Sequence, residues 1–231
     1  MIDNKLSWSP HLEYLNKKLK CNIGLLSRIK NNIPTSLHKS IYHTLFESHL
    51  TYGITVWGGV SQNKLLPIFK TQKKCFRILF GDTTAYLDKF KTCARARPHN
   101  SQLLGTEFYI KEHSKPIFSK HEILTLHHLY NYQTIIGTFN ILKTHTPISL
   151  YSCFKQSKRK ALLLTIPNHS HNFIYNASTL WNKLNTIDKF RQMNNTSVNI
   201  GRFKSQVKNL LLTRQRIGDG TDWSDENFIL S

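Results

Sequence analysis

Apolar residues near the start of the chain recur every three or four positions, which is the spacing of one face of an α-helix. They follow Ser9 and Pro10, a pair typical of a helix that begins with proline in its first turn. The pattern stops at "NNIP", residues 31–34. The sequence therefore predicts a first helix with Ser9 as its N-cap. Its predicted apolar face holds Leu12, Leu15, Leu19, Ile23 and Leu26.

A second helical pattern begins after Pro34, where Thr35 and Ser36 provide a start signal. It ends at "YGITVWGG", residues 52–59. Because only a short turn separates the two patterns, we expect the two helices to pack antiparallel. The predicted apolar positions of the second helix are Leu37, Ile41, Tyr42, Leu45 and Phe46.

The segment "YGITVW" places Tyr52, Ile54 and Val56 at alternate positions. This alternation predicts that they pack against the preceding helices, while the neighbouring glycines allow turns or close backbone approach. Single-strand binders also use exposed aromatic rings to stack on bases. Tyr52, Trp57 and Trp8 are candidates for that role, although core packing is the favoured interpretation.

A third helix is predicted from Ser61 to Gly81, and it has two dissimilar sides. At about 100° per residue, four cations form a basic stripe: Lys70, Lys73, Lys74 and Arg77. The opposite side holds Leu65, Phe69, Phe76 and Leu79, with Gln72 among them. Most such charge runs are solvated surface, but no carboxylate is interleaved four residues away to pair with these cations. The pattern favours a helix that contacts a polyanion.

The second half is predicted to contain further helices after a loop-rich joint at residues 91–118. Ser119 and Glu122 match a capping box, which predicts a long apolar helix from there to Lys143. A break follows at Pro147, then a short helix around Trp181 and a last amphipathic helix that holds Phe203, Val207, Leu210 and Leu211. The chain turns acidic from Gly218, and we expect a mobile tail there.

Composition agrees with a folded protein that has a polyanionic partner. The 231 residues are 39% hydrophobic, which is typical of a globular chain. The 32 Lys and Arg residues exceed the 13 Asp and Glu residues, so the formal net charge is +19. Such an excess favours nucleic acid as the partner, the alternative being a basic surface that binds nothing.

No catalytic motif is recognisable. The chain lacks an Asp-Asp pair, a P-loop and the G-x-G-x-x-G, H-E-x-x-H and G-x-S-x-G patterns. His121, His127 and His128 are spaced so that they do not share a metal on one helix, and they are interpreted as structural or surface residues. Cys75 is interpreted as a small core residue. We expect no cofactor in this chain.

The four cysteines are scattered without a C-x-x-C pattern, which favours reduced thiols and an intracellular protein. No apolar run reaches the roughly twenty residues needed to span a bilayer. No membrane partner is therefore expected.

Several segments, taken in order, resemble a known family. They are "KLSW", "NIGLLSRIK", "SHLTYGITVWGG" and "QKKCFRILFG", followed more loosely by "LWNKL" and "FKSQVKNLL". Together they resemble the C-terminal part of reverse transcriptases from non-LTR (LINE-type, jockey-like) retrotransposons. The match is specific over residues 1 to about 82 and looser to about residue 213.

The resemblance implies a mainly α-helical fold with a thumb-like bundle and a second helical unit. Residues 1–8 correspond to the end of the palm-to-thumb junction, 9–92 to the thumb, 93–217 to the C-terminal extension and 218–231 to the acidic tail. The family's catalytic palm, which holds its Mg²⁺ on paired aspartates, lies upstream of the matching residues. We therefore expect this fragment to be unable to polymerise by itself.

A thumb grips template-primer nucleic acid through the backbone, so the implied partners are RNA, DNA and RNA–DNA hybrid, together with the palm and fingers of the polymerase. The predicted phosphate contacts are Lys70, Lys73, Lys74 and Arg77, with Lys17, Lys20, Arg28 and Lys30 as a second set. One alternative is a stand-alone, sequence-independent nucleic-acid-binding protein that a host has adopted. Another is a protein-interaction scaffold whose basic charge is incidental.

Overall fold

The computed structural model describes residues 7–81, 118, 120–157, 163–168, 173–187, 190 and 199–217. Within these residues the chain is mainly helical, which confirms the predicted fold class. The thumb-like arrangement stays a prediction. Apart from Phe118, the predicted loop-rich joint at 91–118 lies outside the described residues, as do the boundary at residue 92 and the acidic tail.

The first helix, α1 (Ser9–Ile29), has nearly the predicted bounds and buries the whole predicted apolar face. The N-cap prediction is wrong by one residue. Trp8 occupies the N-cap position, in a left-handed conformation with φ 60°, and Ser9 already belongs to the helix. Pro10 therefore lies in the first turn, where its missing N–H has no helical partner to lose.

Residues 35–51 form one helical run of several types. A 3₁₀ turn (Thr35–Leu37) leads into α2 (His38–Tyr42), a π-helical turn (His43–Glu47) and α3 (Ser48–Thr51). Tyr42, Phe46 and Leu50 are fully buried, whereas the predicted Leu37 is 49% exposed. The wider π turn keeps Tyr42, Phe46 and Leu50, which are four residues apart, on one side. Leu37 lies before it, in the 3₁₀ turn.

α1 and the run 35–51 are antiparallel, as predicted. Near one end, a ring nitrogen of His38 lies 3.4 Å from the carbonyl oxygen of Lys30. Further along, the amide nitrogen of Asn22 donates to the carbonyl oxygen of Leu45. Each step forward along the run thus corresponds to a step backward along α1.

The corner after this run is helical rather than extended. α4 (Ile54–Trp57) buries Ile54 and Trp57, but Tyr52 is 78% exposed and Val56 is 58% exposed. The predicted burial of Tyr52 and Val56 is therefore wrong, since a helical turn directs residues three apart, and not two apart, to the same side. The indole nitrogen of Trp57 donates a 2.8 Å hydrogen bond to the carbonyl oxygen of Tyr52.

α5 (Gln62–Phe80) begins and ends as predicted and packs along α1. All of the apolar positions predicted for its inner side are buried, and Cys75 is fully buried among them. Pro67 lies inside the helix on its exposed side. Phe76 stacks on Phe118 at 3.9 Å between ring centroids, which links α5 to the second half of the chain.

The second half is built on α6 (Leu126–Thr144), with α7 (Ile148–Tyr151), α8 (Phe173–Leu184) and α9 (Ile200–Ile217). α8 and α9 pack on α6, and Phe139 stacks on Phe203 at 4.0 Å. The prediction of one continuous helix from Ser119 to Lys143 is wrong, and Ser119 itself lies outside the described residues. Glu122 has φ 55°, which interrupts the helix, and α6 begins only after Thr125.

Two buried glutamines hold the short segment 123–126 between the halves of the chain. Gln72 of α5 donates to the carbonyl oxygen of Leu124 at 3.2 Å and accepts from the N–H of Leu126 at 2.9 Å. Gln215 of α9 donates to the carbonyl oxygen of Ile123 and accepts from the N–H of Thr125, both at 3.0 Å. The backbone polar groups of this buried segment are thereby satisfied from both sides.

Candidate nucleic-acid interface

A groove of about 410 Å³ lies between α1 and α5. It forms where the exposed edges of these two packed helices face each other. The hydroxyl of Thr71 on α5 donates a 2.7 Å hydrogen bond to the side-chain oxygen of Asn16 on α1. This bond joins the helices at the groove. The lining residues are Asn16, Lys20, Ile23, Pro67, Lys70, Thr71 and Lys74, which we call the basic groove.

Three cations reach the basic groove from its two sides. Lys20 comes from α1, while Lys70 and Lys74 come from consecutive turns of α5, and all three side chains are exposed. Within the described residues, none of the three lies within 4.0 Å of a carboxylate oxygen. Ile23 and Pro67 supply an apolar lining between them. The arrangement offers several positive charges to an elongated anion.

The basic stripe predicted on α5 is divided by the structure. Lys70 and Lys74 are exposed at the groove, but Lys73 is only 8% exposed, with its Nζ 4.2 Å from the ring centroid of Phe69. Lys73 lies about 60° around the helix from Lys70, on the edge that faces the core. Lys73 therefore does not line the basic groove, and its phosphate contact stays a prediction. Arg77 is half-buried.

The second predicted set lies along α1 and just beyond its end. Lys17, Lys20 and Arg28 are exposed, whereas Lys30 begins a 3₁₀ turn (Lys30–Asn32) and is half-buried. Only Lys20 lines the basic groove. Lys17 lies one turn earlier on α1, and Arg28 lies about two turns later. The structure thus brings Lys20 of the second set together with Lys70 and Lys74 of the first.

Few acidic groups oppose this charge. The carboxylates in the described residues belong to Glu13, Glu47 and Glu122. Glu47 pairs with His43, with Nδ1 and Oε2 separated by 2.7 Å. Glu13 is exposed on α1 without an ion pair to a neighbouring lysine among the described residues. The surface formed by α1 and α5 is consequently cationic.

The histidines singled out by the sequence serve packing. His128 is buried, its Nδ1 lies 2.8 Å from the hydroxyl of Thr125, and burial lowers its pKa to about 3. Burial likewise lowers the pKa of His127 to about 4. His121 stacks against Phe80, with 4.1 Å between ring centroids. Among the described residues, no three His, Cys, Asp or Glu side chains are grouped to hold a metal ion.

Cys75 is not placed for nucleophilic chemistry. It is fully buried, and burial raises the pKa of its thiol to about 12. A thiol with such a pKa remains protonated and unreactive at neutral pH. Its interpretation as a core residue is confirmed.

Sequence reasoning missed two kinds of residue at this surface. Asn16 and Thr71 carry no charge, so nothing in the local pattern distinguished them from solvated helix positions. Tyr14 is an exposed aromatic residue of α1 that was not singled out, whereas Tyr52 was already a candidate for stacking. Tyr14 had a signal that was available, because it lies off the apolar face of the first predicted helix.

Comparison with protein-family models, with curated proteins and with solved structures finds no match for this chain. Across the described ranges, no helix combines the length and the hydropathy that crossing a membrane requires.

Proposed function

We propose that the basic groove binds the sugar-phosphate backbone of nucleic acid, as part of the thumb of a non-LTR retrotransposon reverse transcriptase. The observation that carries the proposal is the convergence of Lys20 with Lys70 and Lys74 from two helices onto one groove. The family assignment rests on the sequence segments quoted above.

Lysine ammonium groups suit this role because they act as point charges that neutralise phosphates without reading bases. Each phosphate neutralised releases condensed counterions, which makes the affinity salt-dependent. A groove with cations on both sides can follow a backbone, whereas a single row of cations contacts it from one side only. The preferred ligand in this proposal is RNA–DNA hybrid, the product of template copying.

Catalysis is not assigned to these residues. The 231 residues contain no adjacent Asp-Asp pair, and two-metal phosphoryl transfer needs carboxylates held close together. In the proposal, Mg²⁺ and the reacting groups belong to a palm, and the fragment contributes grip on the template-primer duplex. Its protein partners would be that palm and the fingers.

The test is the salt dependence of RNA–DNA hybrid binding by a variant with Lys20→Gln, Lys70→Gln and Lys74→Gln. Each lost phosphate contact should reduce the slope of log affinity against log salt by about 0.9, so the triple variant should lose up to about 2.7. The matched control is Lys143→Gln, Lys155→Gln and Lys204→Gln, which removes the same charge from exposed positions elsewhere. An unchanged slope in the groove variant, or equal losses in both variants, would refute the proposal.

Single substitutions distinguish the exposed members of the basic stripe from the buried one. Lys70→Gln should lower the slope by about one, because its ammonium group is exposed at the groove. Lys73→Gln should leave the slope unchanged, because its ammonium group lies over the Phe69 ring. A larger slope change for Lys73→Gln than for Lys70→Gln would show that phosphate is contacted at the other edge of α5.

A further inference from the structure

Two tyrosines of the N-terminal half are strongly exposed to solvent. Tyr14 on α1 is 57% exposed, and Tyr52, which follows α3, is 78% exposed. Large aromatic side chains usually bury much of their surface, so two exposed rings in one region need an explanation. The sequence favoured core packing for Tyr52, and the structure excludes it.

The antiparallel register places residues 14 and 52 at a similar level along α1. Burial lowers the pKa of His49, and the charge of the nearby Lys18 lowers it further. The ring of His11 lies 6.0 Å from that of Trp57. Tyr14 lies between Lys18 and His11 on α1, and Tyr52 lies between His49 and Trp57 along the chain, directly after the end of the run 35–51. The two tyrosines therefore flank the same stretch of the seam between the helices.

The surroundings of this seam are cationic. Lys17 and Lys18 are exposed on the turn of α1 after Tyr14. The carboxylate of Glu47, on the turn before Ser48, is already paired with His43. Glu13 projects from α1 about 100° away from Tyr14, on the side of the basic groove. A cationic surface with two exposed rings complements an anion that carries flat apolar groups.

We propose that a single-stranded segment of nucleic acid crosses this seam, with bases stacked on Tyr14 and Tyr52 and phosphates near Lys17 and Lys18. The inference rests on the proposed function and deepens it, since it adds single strand to duplex as a ligand. α1 connects the two surfaces, because Lys20 lines the basic groove while Tyr14 lies about 120° around the same helix, on the side of Lys18. A strand that leaves a duplex in the groove can pass over α1 to the tyrosines.

Protein is a poorer occupant of the seam than single-stranded nucleic acid. Interfaces between proteins deplete lysine at their centre and pack aromatic rings among apolar neighbours. Here the only strongly exposed aliphatic side chain close to Tyr52 along the chain is Val56, and lysines lie beside Tyr14. Base stacking requires only the exposed face of an aromatic ring, and every base has a flat face that can stack on it.

The experiment measures binding of oligothymidine, of an abasic oligonucleotide of equal length and of RNA–DNA hybrid to the full chain. Tyr14→Ala and Tyr52→Ala are compared with Tyr14→Phe and Tyr52→Phe. Stacking contributes about 1–3 kcal/mol per base, so each alanine variant should bind oligothymidine about 5- to 150-fold more weakly. The phenylalanine variants keep the ring and should bind as the wild type does. Abasic strand and hybrid should bind all variants equally.

Several outcomes would overturn the inference. One is a change of less than twofold in the oligothymidine affinity of the alanine variants. Another is a loss of affinity in the phenylalanine variants equal to that in the alanine variants, which would indicate a role for the hydroxyl. Equal losses for the abasic strand would exclude base stacking. The two tyrosines are exposed, so circular dichroism and thermal unfolding should be unchanged. Failure of the groove proposal is recognised separately, by an unchanged salt slope of the triple lysine variant.

Discussion

The hydroxyl of Thr71 donates a hydrogen bond of 2.7 Å to the side-chain oxygen of Asn16. The carbonyl oxygen of Pro67, at 2.9 Å, is a second acceptor that shares the single hydrogen of this hydroxyl. Asn16 precedes Lys20 by one helical turn, and Thr71 lies between Lys70 and Lys74. This bond therefore fixes the spacing between the cations on the two sides of the basic groove.

Thr71→Val should weaken binding of RNA–DNA hybrid, because valine keeps the shape of the side chain but loses the bond to Asn16. The free energy of unfolding should fall by about 1 kcal/mol, the usual contribution of one hydrogen bond. Thr144→Val is the control, since its hydroxyl bonds mainly within its own helix, to the carbonyl oxygen of Asn140, and to Thr146. Hybrid affinity equal to that of the wild type would show that the spacing does not depend on this bond.

Gly58→Ala should destabilise the protein by about 1–3 kcal/mol, the usual cost of overpacking. A Cβ at Gly58 would lie 2.4 Å from Cδ2 of Tyr130 and 2.5 Å from the carbonyl oxygen of Ile54. Gly24→Ala should instead stabilise by about 0.5–1 kcal/mol, because Gly24 lies within α1 and a Cβ there meets nothing within 4 Å. Urea denaturation measures both. Equal effects of the two substitutions would contradict the close approach at the corner.

Gln72→Leu should lower the free energy of unfolding by at least about 3 kcal/mol. It would leave the hydroxyl of Tyr42, the carbonyl oxygen of Leu124 and the N–H of Leu126 without their buried partner, at about 1–3 kcal/mol each. Gln62→Leu, at the exposed first residue of the same helix, should change the free energy of unfolding little.

The two glutamines should also be energetically coupled, because Gln72 and Gln215 hold the same segment. A double-mutant cycle with Gln72→Leu and Gln215→Leu should give a coupling energy of about 0.5–3 kcal/mol. Strictly additive effects would mean that each glutamine stabilises its own helix independently of segment 123–126.

Stability should fall as the pH is lowered from about 7 to 4.5. The pKa of His128 is lowered to about 3 by burial and, less, by His127. Below its unfolded pKa of about 6.5, the unfolded chain binds a proton that the folded chain does not bind until about pH 3. The free energy of unfolding therefore decreases with falling pH, by at most about 1.4 kcal/mol per pH unit for this group.

His128→Asn should flatten this dependence in urea denaturation at a series of pH values. Asparagine keeps a polar atom near the hydroxyl of Thr125 but does not titrate. His145→Asn is the control, since His145 is exposed and asparagine tolerates its left-handed conformation at φ 57°. If both variants keep the wild-type slope, protonation of His128 does not limit stability.

Long periodic segments were predictable from the sequence, because a sustained spacing of three and four has few alternatives. α1 and α5 have nearly the predicted bounds and bury the predicted faces. Short segments were not predictable in this way. The four residues Ile54–Trp57 fit both a strand-like alternation and a single helical turn. Burial of Trp57 in the core accompanies the helical turn, which leaves Tyr52 exposed.

The candidate site was predictable in its chemistry and only partly in its members. The charge pattern of α5 indicated Lys70 and Lys74, and the charge of α1 indicated Lys20. The same pattern included Lys73, which lies only about 60° from Lys70 on a helical wheel. Such a wheel does not show how much of the surface of α5 is covered by neighbouring elements. The core that covers Phe69 extends far enough around α5 to include Lys73.

The sequence by itself determined the helical class of the chain, the inner and outer sides of its long helices and its strong positive charge, since these depend on residue type and spacing along the chain. Tertiary structure decided which cations share a groove, which tyrosines remain exposed and how segment 123–126 is held between Gln72 and Gln215. These relationships join residues about 50 to 90 positions apart. Such pairs are selected by packing of the whole chain and leave no local pattern.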